Sequence, residues 1–221
     1  MDYSSIYEKV EASIVNIAYH DEHDILSTAT GTIIDDGTRV LTCSHCCSHQ
    51  YQTGVYYKDR GVIEHGNIIR DFDDKDIAVL QFHEVIGKPL AIVDSSKMKI
   101  GNEIMTIGFP YTLNSEKTLI VGNISAFENG LIKINTSVNN GNSGGPLLNM
   151  KGEIIGIVNA KLGSLSDFLE SIEKSHFNSY IQIDGLDPVS AIQQMIREMQ
   201  TNLNLGIGYA IPTTTIIPLL R

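Results

Sequence analysis

The feature that most limits the fold is a series of short β-like runs separated by turn signals. About a dozen such runs, rich in Val, Ile, Thr and Tyr, are predicted at residues 12–19, 31–35, 38–42, 52–57, 61–70, 76–82, 103–108, 118–127, 131–137, 145–148, 153–160 and 208–211. Asp36-Gly37 predicts a type I′ hairpin turn, while Asn129-Gly130 and Lys151-Gly152 mark further turns. Many short strands with short turns predict an all-β chain folded as closed or nearly closed antiparallel barrels.

Length and charge narrow the class of protein further. With 221 residues, the chain suits one large all-β domain or a pair of packed barrels. The formal net charge of −10 argues against nucleic-acid and anionic-membrane partners, because both favour a basic face. No run approaches the roughly 20 apolar residues of a membrane span. The first residues lack the basic and apolar regions of a signal peptide, so we expect a cytoplasmic location.

Three short motifs carry side chains suited to nucleophilic chemistry. Leu41–His45 ends a strand-like segment in a histidine, Asp76–Leu80 begins one with an aspartate, and Gly141–Leu147 reads Gly-Asn-Ser-Gly-Gly-Pro-Leu. A serine between small residues can sit on a sharp turn, with its hydroxyl exposed and neighbouring N–H groups directed at one point. This arrangement suits attack on a carbonyl group, because a developing oxyanion needs donors already in place.

These motifs resemble those of the trypsin-like (chymotrypsin-fold) serine proteases of the HtrA/Deg branch, in the same His, Asp, Ser order. The resemblance covers roughly residues 8–163 and 205–217. It implies a single domain of two six-stranded antiparallel β-barrels, about 1–110 and 111–221, with the active site in the cleft between them. The sequence shows no PDZ-like module after Leu220, and we expect either a stand-alone protease or the N-terminal effector domain of a longer protein.

The resemblance also implies a role for each site residue. Ser143 is the candidate nucleophile, His45 the base that takes its proton, and Asp76 the carboxylate that orients and stabilises the histidine. The N–H groups of Gly141 and Ser143 would form the oxyanion hole. The substrate pocket would be lined by Ser137, Val138, Asn139, Asn140, Asn159, Ala160 and Lys161. None of these is acidic, which favours small or medium apolar substrate side chains.

Competing residues exist for two members of this triad. His49 competes with His45, but it lies beyond the strand end, where a solvated side chain is the simpler interpretation. An acidic cluster of Asp71, Asp73 and Asp74 competes with Asp76, which is preferred because it directly adjoins the apolar strand and matches the family motif. Asn142 cannot form the ion pair with a newly cut N-terminus that the digestive branch uses, so activation by N-terminal cleavage is not expected.

All three cysteines crowd the candidate histidine, at Cys43, Cys46 and Cys47. Together with His45 and His49 they provide enough ligands for zinc, but five ligand-type residues within seven positions is poor tetrahedral spacing. A zinc ion here would also take away the free base. We therefore predict no metal and no cofactor, and small buried thiols in a reducing compartment.

Residues 164–204 interrupt the β pattern. Apolar residues recur there at helical spacing, and Asp187-Pro188 provides an N-cap followed by a first-turn proline, which predicts an insertion of two amphipathic helices. The insertion either packs on the barrel as decoration or acts as a lid or docking element. In the second case, replacing it with a short linker would change peptide turnover.

The sequence thus favours a serine endopeptidase that hydrolyses peptide bonds through an acyl-enzyme intermediate. Its partners would be a polypeptide substrate and either a regulatory protein or C-terminal domains of a longer chain. The alternative is a catalytically inert pseudo-protease that uses the cleft or the insertion to bind another protein. Esterase activity on small acyl substrates would be a side activity of the same triad.

Overall fold

The computed structural model describes residues 2–20, 24–110, 114–160 and 206–221. These residues form two short α-helices and thirteen β-strands, joined by turns and 3-10 turns. The elements are α1 Tyr3–Val10, β1 Ile14–His20, β2 Ile25–Ile34, β3 Arg39–Thr42, β4 Thr53–Tyr57, β5 Val62–His65, β6 Asn67–Phe72, β7 Ile77–Gln81, β8 Glu103–Gly108, β9 Thr118–Glu128, β10 Leu131–Ile134, β11 Pro146–Leu148, β12 Ile154–Asn159, β13 Gly208–Pro212 and α2 Thr213–Leu220.

The strands form two antiparallel sheets. Strands β8 to β13 make a closed six-stranded barrel in the order β10-β13-β12-β11-β8-β9. The other seven make one sheet in the order β5-β4-β1-β2-β3-β7-β6. The predicted all-β double-barrel class is confirmed, but the six-strand count is wrong for the first sheet. The predicted run at 61–70 is two strands, interrupted at Gly66, whose N–H donates to Thr53 O at 3.0 Å.

Alternation along the strands divides the apolar side chains between two cores. One core fills the closed barrel and draws on all six of its strands: Ile104, Ile124, Ile132, Ile134, Leu147, Ile155 and Ala210 are among its members. The larger core lies within the first sheet and continues onto the outer face of the closed barrel. In β12, Ile155 points to the first core, while Ile154 and Ile157 point to the second. The strand is therefore buried on both faces, and all six of its residues are buried.

Both helices are attached by local polar contacts and a few buried side chains. Helix α1 begins after Asp2, whose carboxylate accepts the Ser5 N–H at 2.8 Å, and it buries Ile6 and Val10, which lie four residues apart on one face. Helix α2, which the sequence did not predict, buries Ile216 completely. None of the described helices is long and apolar enough to cross a membrane.

The β2–β3 hairpin forms where expected, but the predicted type I′ turn at Asp36-Gly37 is wrong. Ile34 pairs with Arg39, so the loop has four residues. A type I′ turn needs positive φ at both central residues, whereas here the positive values belong to Asp35 and Gly37. The Asp36 carboxylate instead accepts the N–H of Thr38 at 3.0 Å, a local bond that competes with the tighter turn.

The predicted helical insertion at 164–204 lies outside the described residues. The division of the chain at about residue 110 stays a prediction. The described strands of the first sheet end at Gln81, and those of the closed barrel begin at Glu103.

Thr30 in β2 joins the two barrels beside the serine motif. Its N–H donates to Ser143 O at 2.8 Å, and its hydroxyl donates to Gly141 O at 2.6 Å. The same hydroxyl accepts the Phe109 N–H at 3.0 Å, and Thr42 Oγ1 donates to Thr30 O at 2.8 Å. One buried threonine therefore ties the serine loop of the closed barrel to the first sheet, whose strand β3 leads directly to His45.

We expect Thr30→Val to lower the free energy of unfolding by about 1–3 kcal/mol, because it leaves Gly141 O and Phe109 N–H buried without the hydroxyl. Thr32→Val is the matched control in the same strand. Thr32 is also buried, but among the described residues its hydroxyl has no hydrogen-bond partner, so its removal should be neutral or stabilising. Urea unfolding measures both, and equal losses in the two variants would contradict the proposed role of Thr30.

Candidate active site

The serine motif folds as a tight loop that only glycine can complete. Gly141 and Gly144 have φ values of +93° and +83°. A Cβ on Gly144 would lie 2.1 Å from both Thr30 O and Thr42 Oγ1, so any larger residue would collide with the first sheet. Ser143 lies between these glycines and is 6% exposed.

The backbone N–H groups of this loop are used unequally. Three of the five N–H groups in residues 141–145 bind carbonyl oxygens, and they are those of Asn142, Gly144 and Gly145. No hydrogen bond among the described residues uses the N–H of Gly141 or Ser143. These two donors are the pair that the sequence predicts for an oxyanion hole, and both are available to an acceptor.

Asp76 holds His45 at two points. Asp76 Oδ1 accepts the backbone N–H of His45 at 2.9 Å, and Asp76 Oδ2 lies 2.7 Å from His45 Nδ1. An ionised carboxylate only accepts hydrogen bonds, so Nδ1 carries the proton and Nε2 keeps its lone pair in the neutral ring. About a quarter of each side chain is exposed, 26% for His45 and 23% for Asp76.

The backbone of Asp76 adopts an uncommon conformation. Its φ of 54° and ψ of 49° are left-handed, and it follows the 3-10 turn Asp73–Lys75. A left-handed conformation costs a residue with a side chain about 1 kcal/mol or more and persists where the surroundings fix it. Here the surroundings include the Nδ2 group of Asn159, which donates to Asp76 Oδ2 at 2.6 Å.

The competing residues form a separate contact. Asp71 Oδ1 accepts the Ser44 hydroxyl at 2.6 Å, and Asp71 Oδ2 lies 3.2 Å from His49 Nε2. Asp74 lies 3.2 Å from the Lys75 ammonium group, at the surface. The structure therefore brings His45 together with Asp76, and His49 together with Asp71.

The Ser143 hydroxyl is bound to the opposite wall of the cleft from its predicted base. Ser143 Oγ accepts the backbone N–H of Ala160 at 3.1 Å. Among the described residues, no hydrogen bond joins Ser143 Oγ to His45. Catalytic hydrogen bonds are often long in proteins without substrate, and a rotation about the serine χ1 angle changes the partner of the hydroxyl.

The titration of His45 is governed by opposing effects. Burial lowers the pKa of His45, but hydrogen bonds and charges from Asp76 and Cys46 outweigh burial, so the pKa lies well above its usual value of 6.5. The negative charge of Asp76 stabilises the imidazolium form, which is the form that exists after the base has taken a proton.

All three cysteines are free and buried beneath the histidine. The hydrogen bond between Cys43 and Cys46 lowers the pKa of the Cys46 thiol and, together with burial, raises the pKa of Cys43. Burial raises the pKa of Cys47. Cys46 Sγ also contacts Ser143 O at 3.7 Å, so it lies between the serine and histidine motifs.

A groove of about 770 Å³ lies next to the serine loop. Its walls include Ser137, Asn139, Asn142, Thr136, Ile120 and Glu116. Two of the predicted pocket residues, Ser137 and Asn139, therefore line it. Among the described wall residues the acidic one is Glu116, which forms an ion pair with Lys58.

The remaining predicted pocket residues lie elsewhere. Val138 is buried in the core of the closed barrel, and Asn140 is exposed at the surface. Asn159 is 1% exposed, and its side chain faces Asp76 rather than the groove. Ala160 contributes its N–H to Ser143, and Lys161 lies outside the described residues.

The sequence did not predict the contacts of two buried polar residues at the site, Thr30 and Asn142. Thr30 was missed because nothing local distinguishes it from Thr32, which has no comparable contacts. Asn142, 1% exposed, has no hydrogen-bond partner for either atom of its side-chain amide among the described residues. A neutral amide tolerates this position better than an unpaired carboxylate would.

Comparison with known proteins agrees with this geometry. The family described as "Trypsin-like peptidase domain" matches residues 29–157. The periplasmic pH-dependent serine endoprotease DegQ of Escherichia coli K12 is 34% identical over 132 residues, covering 56% of this chain and 29% of DegQ. A probable periplasmic serine endoprotease, DegP-like, of Pseudomonas putida GB-1 is 33% identical over 147 residues, covering 62% and 30%.

More distant relatives are animal proteins. Serine protease HTR4 of Bos taurus is 25% identical over 181 residues, covering 72% of this chain and 37% of the relative. The chain therefore spans only about a third of the length of these relatives, between 29% and 37%. From its two barrels, its glycine-bounded serine loop and these matches, the chain belongs to the trypsin-like peptidase family, on its HtrA branch.

Proposed function

We propose that the chain is a serine endopeptidase whose triad is Ser143, His45 and Asp76. The observation that carries the proposal is the two-point hold of Asp76 on His45, at the backbone N–H and at Nδ1. This hold fixes the ring orientation and leaves Nε2 as a base at the first-sheet side of the cleft. The serine loop faces it from the closed barrel, with two unused N–H donors.

Each group has one task in the proposed reaction. Ser143 Oγ attacks the peptide carbonyl carbon while His45 takes its proton, and the N–H groups of Gly141 and Ser143 stabilise the oxyanion. Collapse of the tetrahedral intermediate breaks the C–N bond, and His45 gives its proton to the leaving amine. Water then attacks the acyl-enzyme, with His45 again as base, and releases Ser143. Asp76 stabilises the imidazolium form in both halves.

The groove supports a polypeptide substrate with an uncharged side chain before the scissile bond. Ser137 and Asn139 offer neutral polar atoms, and Glu116 forms an ion pair with Lys58. Small or medium uncharged side chains fit such a surface better than Lys or Arg, which would be buried without a counter-charge. The predicted cytoplasmic location stays a prediction.

One observation favours the alternative, an inert protein-binding module. The Ser143 hydroxyl is bound by Ala160 N–H and not by His45, so the nucleophile is not activated in the conformation described. Under this alternative the hydroxyl would stay on Ala160 in all conditions. The two functions differ in whether Ser143 reacts with an electrophile.

We expect a fluorophosphonate to label Ser143 of the folded protein, because the probe requires an activated serine and an oxyanion hole. Ser143→Ala and His45→Ala should abolish labelling and peptide hydrolysis, since triad residues act as a unit. Ser96→Ala is the matched control, a serine on an exposed turn remote from the cleft, and it should label normally. Absence of labelling in wild type across pH would favour the binding module.

The raised pKa of His45 also sets the direction of the pH dependence. Only the neutral imidazole can accept the serine proton, so kcat/KM should rise with pH, with a midpoint above about 6.5. Asp76→Asn removes the stabilisation of the imidazolium form, so the His45 midpoint, followed by NMR, should move to lower pH. The same change should lower kcat by about 10⁴.

Asp74→Asn is the control for charge alone, since Asp74 is exposed and contacts Lys75 instead of His45. It should leave both the midpoint and the rate close to wild type. A pH profile that is flat between about 6 and 9 in the wild-type protein would contradict the role of His45 as the base.

A further inference from the structure

Two buried thiols flank the proposed base, and neither forms a bond to the substrate in acyl transfer. Cys43 and Cys46 are 0% and 3% exposed, and His45 lies between them in sequence. Peptide hydrolysis through Ser143 uses neither sulfur atom. Their position so close to the one titrating base of the site therefore requires a separate explanation.

The local backbone brings these thiols together. Cys43 is the N-cap of the 3-10 turn Ser44–Cys46, and Cys46 N–H donates to Cys43 O at 3.1 Å to close that turn. Side chains at positions i and i+3 of a 3-10 turn eclipse one another, so both thiols project to the same side. The two sulfur atoms and a ring nitrogen of His45 all lie within 4.8 Å of one another.

This donor set matches the preferences of zinc. Zn²⁺ binds thiolate sulfur at about 2.3 Å and imidazole nitrogen at about 2.0–2.1 Å, which places tetrahedral donors about 3.5–3.8 Å apart. The three donors here need to converge by no more than about 1.3 Å to reach that spacing. Two thiolates and one neutral imidazole would also cancel the charge of the ion, which removes the cost of burying it.

We propose that Cys43, Cys46 and His45 form a Zn²⁺ site that switches the protease off by occupying its general base. The fourth position would hold water on the cleft side, since His45 is the ligand whose side chain is partly exposed, at 26%. Binding releases the protons that the two thiols carry, and also the one on the metal-binding nitrogen when His45 is in its imidazolium form, and it involves no change of oxidation state. The inhibitory part of the proposal rests on the proposed peptidase function, whereas the binding part does not.

Either ring nitrogen gives the same functional result. Coordination through Nε2 removes the lone pair that would take the Ser143 proton, and Asp76 on Nδ1 then supports the ligand from behind. Coordination through Nδ1 breaks the 2.7 Å contact with Asp76 and releases the ring from its catalytic orientation. In both cases the triad is incomplete while the metal is bound.

A metal explains the geometry better than a disulfide does. A Cys43–Cys46 disulfide would use only two of the three converging donors. Cys47 provides a matched control, because it is equally free and close in sequence but does not belong to the converging group. Its thiol instead contacts Cys43 O at 3.9 Å.

The binding test uses Co²⁺ as a spectroscopic probe and Zn²⁺ as competitor on the Ser143→Ala protein, so that protease activity is not needed. The protein is kept reduced with a phosphine, because dithiols bind zinc. We expect one Co²⁺ per chain, with thiolate-to-metal charge-transfer bands for two thiolates and tetrahedral visible bands, displaced by Zn²⁺. Cys43→Ala and Cys46→Ala should lose these bands, His45→Ala should weaken binding at least about tenfold, and Cys47→Ala should bind normally.

Three outcomes would overturn the proposal. One is the absence of a charge-transfer band in the folded, reduced protein. Another is an unchanged band in folded Cys46→Ala. The third is a loss of activity only on oxidation, with the two-hydrogen mass loss of a disulfide and no metal band. If the alanine variants do not fold, the thiolate count from the Ser143→Ala spectrum and the shift of the His45 NMR resonances decide the question.

The activity test is separate. Zn²⁺ should inhibit hydrolysis by the wild-type and Cys47→Ala proteins, and a chelator should restore it. A folded Cys43→Ala protein should be hydrolytically active and resistant to Zn²⁺, and equal inhibition of this variant would place the inhibitory ion elsewhere. A wild-type protein that shows neither labelling nor hydrolysis would refute the proposed function, while the cobalt spectra would still decide the metal site.

Discussion

The active-site arrangement depends on the hydrogen bonds of one buried threonine. Thr30 lies in the first sheet, yet it binds the carbonyl oxygens of Gly141 and Ser143 in the loop of the other barrel. Without these bonds, two buried carbonyl groups would have no partner, at a cost that a marginally stable fold cannot easily absorb. These bonds fix the position of the serine loop relative to the first sheet. The histidine motif is fixed to the same sheet, because it continues from strand β3.

The orientation of the histidine ring depends on an electrostatic interaction with Asp76. Asp76 has a left-handed conformation just before strand β7, and it forms hydrogen bonds to His45 and Asn159. The same carboxylate fixes the imidazole ring and stabilises its protonated form. Backbone strain is therefore located at the residue that orients the base, as is common where the surrounding structure fixes a functional group.

The cysteine turn places two chemistries at one histidine. A base for acyl transfer needs a ring nitrogen with a free lone pair, whereas a zinc ligand uses a nitrogen lone pair to coordinate the metal. Because His45 serves both in our proposals, metal binding and peptide hydrolysis exclude each other, and the affinity of Cys43 and Cys46 for the ion would set the balance. The Ser143 hydroxyl, bound to Ala160, shows that the nucleophile too has an alternative partner.

The sequence by itself determined those features that depend on local physics. Alternating apolar residues and turn signals predicted almost every described strand, since burial on a sheet imposes a period of two. The glycines of 141–145 predicted a tight loop around Ser143, because only glycine tolerates their backbone angles and close contacts. Local patterns gave the wrong turn type at Asp36-Gly37, where the Asp36 carboxylate bonds the N–H of Thr38. They also missed α2, because Thr, Ile and Pro residues disfavour a helix and the burial of Ile216 is needed to stabilise it.

Only the tertiary structure decided which distant groups meet. Asp76 and Asp71 look alike in sequence, but the register of β7 against β3 places the first on His45 and the second on Ser44 and His49. Thr30 and Thr32 differ by two positions in one strand, yet only Thr30 bonds the serine loop. Such contacts depend on long-range pairing and on how the backbone turns, and no local pattern in the sequence specifies either one.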